Sequence, residues 1–102
     1  MEIKSQPVYH VVFCILEYSS FEEARTEAPE AIAAHVKRSR ELHDSGTLLM
    51  AGAFLDKSDE PLGTMAVLTS REAAEEYVKG DPFFLNGKMS GWYTREWANM
   101  FV

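Results

Sequence analysis

Apolar and polar positions change period several times along this chain. From Val8 to Tyr18 the segment VYHVVFCILEY is almost continuously apolar and rich in β-branched and aromatic residues. That pattern predicts a strand covered on both faces. SSFEEARTEAPE follows, polar and turn-prone, with room for a short helical piece. Between Glu30 and Asp44 the period becomes helical: Ile32, Val36 and Leu42 fall on one side, and Lys37, Arg40 and Glu41 on the other. Pro29 suits the first turn of this helix, and Gly46 after Ser45 suits its stop. TLLMAGAF and GTMAVLT predict a second and a third strand, and LDKSDEPLG between them an exposed loop. Ser70 predicts the cap of a second helix, SREAAEEYVKG, closed by Gly80. DPFFLNGKMSG reads as a long connection, and WYTREWANMFV as a final strand running to the chain end.

The order is β-α-β-β-α-β, which in one sheet is the ferredoxin-like α+β arrangement, antiparallel with two helices on one face. A single domain is expected over residues 1–102. The first strand carries Tyr9, Val11, Phe13 and Ile15 on one face and Val8, Val12, Cys14 and Leu16 on the other. The last strand adds Trp92 and Met100 on one side and Tyr93 and Trp97 on the other. Two helices can cover only one of these faces. The bare apolar face predicts a partner, met by two sheets facing each other in a homodimer.

Composition narrows the function. Ten Lys and Arg stand against 16 Asp and Glu, a formal charge of -6 with no basic cluster. Such a surface repels phosphate backbones and anionic membranes, so no nucleic acid and no membrane partner is expected. No apolar run approaches the ~18 residues of a membrane span. The lone Cys14 cannot form an intramolecular disulfide, and MEIKSQPVYH lacks the basic start and apolar core of a signal peptide. A cytoplasmic location is the expectation that remains.

His35 is the exception in the first helix, because it sits with the apolar residues, at the edge of the stripe Ile32, Val36, Ser39 and Leu42. Two readings stand: a core histidine bonded to a backbone carbonyl, or a functional imidazole near a rim. Pro82 biases Asp81 away from helical backbone, so the second helix ends there. Asp81 is either a turn residue bonding local amides or a partner for His35. The two helices share a face of the sheet, so the pair can meet. A carboxylate on one imidazole nitrogen fixes the tautomer and leaves the other nitrogen to exchange protons. No Ser or Cys shows a nucleophile motif, three scattered His and one Cys make no zinc pattern, and no phosphate loop exists. His43 reads as a helix-end cap and His10 as a core or interface residue. Phe83, Phe84 and Leu85 cap the core under the connection, or wall a small apolar pocket.

AHVKRSRELHDSGTLLMAGAF followed by GTMAVLTSREAAEEYVKGDPFFLNG resembles the YCII-related family. The matching positions include His35, Leu42, Gly46, Gly52, Ser70, Glu72, Asp81, Pro82 and Gly87, and the resemblance covers most of the chain. It implies a ferredoxin-like fold dimerised sheet to sheet, the dimeric α+β barrel. It implies a His/Asp pair as catalytic centre, falling on His35 and Asp81, with Phe83, Phe84, Gly52 and Phe54 as expected pocket lining. The function implied is a small cofactor-independent enzyme. It would use the pair for proton transfer in an elimination, isomerisation or hydrolysis of a small organic molecule. The alternative is a non-catalytic ligand-binding or accessory module with the same pocket. Ala53 stands where the family usually has Pro, and Phe83 where it often has Tyr, so the substrate stays open.

Overall fold

The computed structural model describes residues 7–56 and 61–101. Residues 57–60 of the expected exposed loop and Val102 at the expected strand end lie outside the described residues. The elements are β1 (Val8–Leu16), α1 (Phe21–Glu27), α2 (Pro29–Asp44), β2 (Leu48–Ala53), β3 (Gly63–Leu68), α3 (Arg71–Lys79), α4 (Pro82–Leu85) and β4 (Met89–Ala98). The strands form one sheet in the order β2-β3-β1-β4, and every neighbouring pair is antiparallel. This is the ferredoxin-like α+β topology, with α1 and α4 as two short additions.

Local chemistry sets the boundaries. Ser20 accepts the Glu23 amide at 3.1 Å and starts α1, and Ser70 accepts the Ala73 amide at 3.0 Å and starts α3. Gly46 takes φ +85°, which an L side chain resists. The Gly46 amide then reaches the His43 carbonyl and the Thr47 amide the Leu42 carbonyl, closing α2. The connection after α3 is shorter than the sequence suggested, since Pro82–Leu85 winds into α4 and Gly87, at φ +79°, turns the chain into β4 at Met89. A bulge between Ile15 and Leu16 lets Met89 pair with Leu16, three residues ahead of Trp92. The strand stops at Ala98, short of the chain end, because the Asn99 side chain accepts the Phe101 amide at 3.1 Å and turns the backbone.

Alternation along β1 divides two environments. Val12 and Cys14 join Leu48, Ala66 and Leu68 beneath Ala74, Tyr77 and Val78 of α3 and Leu42 of α2, so α2 and α3 cover the same face. A second cluster packs Leu16 and Tyr18 with Ala24 of α1, Leu62 and Phe83 of α4. On the opposite face Phe13 stacks on its cross-strand partner Tyr93 with ring centroids 4.9 Å apart. That face is left open: Tyr93 is 52% and Trp97 49% exposed. No helix among the described residues is long and apolar enough to cross a membrane.

Candidate active site

The edge strand β2 ends in Ala51, Gly52 and Ala53, which give the helix above it little to pack against. In consequence α2 buries none of its residues fully. The space between α2 and β2 is a cavity of about 510 Å³, floored by Cys14, Leu16 and Thr64 and closed at one end by Phe83. That is the size of a small-molecule site.

His35 of α2 and Asp81 after α3 meet at this cavity. Asp81 holds extended backbone, φ -71° and ψ 136°, as the residue before a proline should, and so becomes the N-cap of α4. Its two oxygens have different partners. Oδ2 accepts the Phe83 amide at 2.9 Å, and Oδ1 lies 2.5 Å from His35 Nδ1. A carboxylate oxygen accepts, so Nδ1 donates and Nε2 is the nitrogen left uncommitted. Asp81 is only 3% exposed, whereas the His35 side chain is 26% exposed. The imidazole therefore stands between a buried carboxylate and an open cavity, with its ring 5.9 Å from that of Phe83.

Arg38, one turn beyond His35, ties α2 to the end of α3. Its guanidinium donates to the Tyr77 and Glu76 carbonyls at 2.8 Å each and lies over the Tyr77 ring. Gly80 and Asp81 follow three and four residues after Tyr77, so this clamp helps set the separation of His35 from Asp81. Two further groups on the cavity wall stay protonated at neutral pH. Burial pushes the Cys14 thiol up to about 11 and the Tyr77 phenol up to about 12. Among the described residues no group of three His, Cys, Asp or Glu could hold a metal ion.

Of the residues expected at the site, His35, Asp81, Phe83 and Gly52 line the cavity. Phe84 and Phe54 do not, and they are corrected as lining residues. Successive residues of a helical turn point ~100° apart, so with Phe83 buried in the core Phe84 turns outward and is 38% exposed. Phe54 lies just beyond β2 and packs toward Gly63 at 3.4 Å from where a Cβ would stand, 48% exposed. Among the lining residues that the sequence did not point to are two on α2 with ionisable side chains. Arg40 was assigned to the outer face, and His43 to a cap. His43 instead donates from Nδ1 to the Leu48 carbonyl at 2.8 Å and faces the cavity with Arg40.

The family model for the YCII-related domain matches residues 11–98. The chain belongs to the YCII-related family. No curated protein matches this YCII-related chain. Among solved structures, 5-chloro-2-hydroxyhydroquinone dehydrochlorinase from Burkholderia phenoliruptrix, in complex with 2,5-dihydroxybenzoquinone, is similar at TM-score 0.61 and 15% identity, over 88% of this chain and 94% of that one. Rv0793 from Mycobacterium tuberculosis is similar at TM-score 0.54 and 15% identity, over 93% and 97%. A conserved protein from Methanosarcina mazei is similar at TM-score 0.55 and 10% identity, over 97% and 99%. At these identities the likeness is one of fold.

Proposed function

We propose that this YCII-related protein is a small cofactor-independent enzyme that moves a proton on a small organic molecule, with His35 as general acid/base and Asp81 as its orienting partner. One observation carries the reading: Asp81 occupies His35 Nδ1 and leaves Nε2 uncommitted at a cavity of about 510 Å³. In an elimination, Nε2 takes a proton from carbon, the C–H electron pair becomes the new double bond, and the leaving group departs with its bonding pair. In an isomerisation the imidazolium returns the proton at another carbon. The positioned base contributes on the order of 10²–10⁴ in rate. The dehydrochlorinase of the same fold holds a small ring compound, which supports a ligand of that size here. The lone Cys14 is compatible with action in the cytoplasm.

The test is proton exchange. A panel of small cyclic ketones and lactones is incubated in D2O with the protein, and loss of the acidic C–H signal is followed by NMR. The expected result is exchange that falls at least about a hundredfold in His35→Ala. Equal rates in both proteins would leave a non-catalytic binding module. We also infer that the open sheet face is covered by a second copy. Light scattering should then give about twice the 11.5 kDa chain mass, and a monomer at micromolar concentration refutes it.

A further inference from the structure

The cavity has an electrostatic direction that proton transfer alone does not require. Among the described residues its lining holds two of formal charge, Asp81 and Arg40. Asp81 is spent, with one oxygen on His35 and the other on the Phe83 amide. Arg40 is not spent, since no hydrogen bond or ion pair engages it among the described residues, whereas Arg38 on the same helix is consumed by two carbonyls. The other ionisable groups on the wall do not counter this charge, because the buried Cys14 thiol and Tyr77 phenol stay neutral. Among the described residues the Arg40 guanidinium is thus the charged lining group left without a partner, on a chain whose net charge is -6.

Geometry gives that charge a place. Arg40 lies five residues after His35, so it stands ~7.5 Å further along the helix axis and about 140° around it. It lines the cavity as an exposed residue, while His35 is half-buried beside Phe83. On α2 the lining residues between them are Val36 and Ser39, and Ala51 and Ala53 of β2 line the same cavity. We infer that the ligand is an organic anion: a carboxylate or enolate held by Arg40, attached to an apolar ring or chain that reaches to His35. A guanidinium offers paired N–H donors that match a carboxylate, which suits it to this task. His43 stands beside Arg40 with Nδ1 committed to Leu48, so its Nε2 serves a polar substituent at the same end. The inference deepens the reading of the cavity as a ligand site and rests on it.

Benzoate and benzamide differ by one charge at nearly equal size, and both can be titrated into the protein while backbone amide shifts are followed. Benzoate is expected to shift α2 and β2 amides and to bind at least about tenfold more tightly than benzamide. Arg40→Gln is expected to erase that preference, and its exposed position leaves the fold intact by circular dichroism. His35→Asn is expected to keep it. Equal binding of the two compounds to the wild type, or a preference that survives in Arg40→Gln, overturns the inference, as does binding of neither. The outcome is separable from catalysis. A preference for benzoate that depends on Arg40, found alongside proton exchange that ignores His35→Ala, would sustain the anion site and sink the acid/base role.

Discussion

Gly80→Ala probes the clamp that holds the two halves of the site together. Gly80 adopts φ -94° and ψ -2°, which alanine tolerates, so backbone strain is not the obstacle. Space is the obstacle. A Cβ there would stand 2.4 Å from Arg38 Nη2 and 2.9 Å from its Cζ, and 3.2 Å from the Glu76 carbonyl oxygen. The guanidinium is the end of a flexible side chain and yields first, giving up its two 2.8 Å bonds to the end of α3. Charge-assisted bonds at a half-exposed position are worth together about 1–3 kcal/mol. Alanine returns about 0.4–1 kcal/mol by restricting the unfolded chain. The net loss is about 1–2 kcal/mol, a fall in Tm of about 5–10 °C for a domain of this size. The decisive assay is a double-mutant cycle by urea unfolding. In an Arg38→Ala background the obstruction is absent, so Gly80→Ala should become neutral or stabilising. An equal loss in both backgrounds would refute the argument and assign the cost to the Glu76 carbonyl. The His35 ring 15N shifts should also move in Arg38→Ala, because the clamp helps set the His35–Asp81 approach.

Asp81→Asn should keep the α4 cap through its amide oxygen while turning an NH2 toward His35, which reverses the imidazole tautomer; 15N-edited NMR should show Nδ1 losing its proton with a stability cost of about 1–3 kcal/mol. Asp81→Ala removes cap and partner together and should cost about 1 kcal/mol more by urea midpoint. Burial keeps the Cys14 thiol protonated up to about 11 in the fold, the unfolded chain loses that proton first, and so the stabilisation is full below the ordinary thiol range and is lost as pH rises through about 11. Cys14→Ala should flatten the fall in urea midpoint between about pH 8 and about pH 10.5, and an unchanged slope would count against a buried thiol.

Local signals left the pairing of His35 with Asp81 open: an imidazole sat at the edge of a mostly apolar stripe, and a proline after Asp81 held that residue in extended backbone where the two helices converge. The resemblance to the YCII-related family is what selected the pair, and the 2.5 Å approach of Oδ1 to Nδ1 brings the two together. The strand order followed equally from the alternation of helix and strand patterns. Arg40 and His43 were not legible, for a physical reason. Sorting a helix into an inner stripe and an outer face assumes a close-packed neighbour. Ala51, Gly52 and Ala53 supply none, so the lining spreads to residues that a packed interface would leave in water. Phe54 and Phe84 failed on direction. Nothing in DPFFLNG announces that four of its residues wind into α4, and a helical turn cannot send two consecutive rings the same way. The end of β4 depended on one Asn99 side chain bonding two residues ahead, which a run of strand formers masks.

The divided carboxylate of Asp81 bears on how descendants of such a chain would drift. One oxygen serves the backbone of α4 and the other serves His35. A lineage that abandons the chemistry is released from selection at position 35 at once, since a replacement there leaves α4 capped. It is not released at position 81, where loss of the carboxylate frays the turn that carries Phe83 into the core. Under the proposed acid/base role, idle relatives should therefore keep the acid and lose the imidazole, so an aspartate in this place records ancestry, and the histidine opposite it would record use.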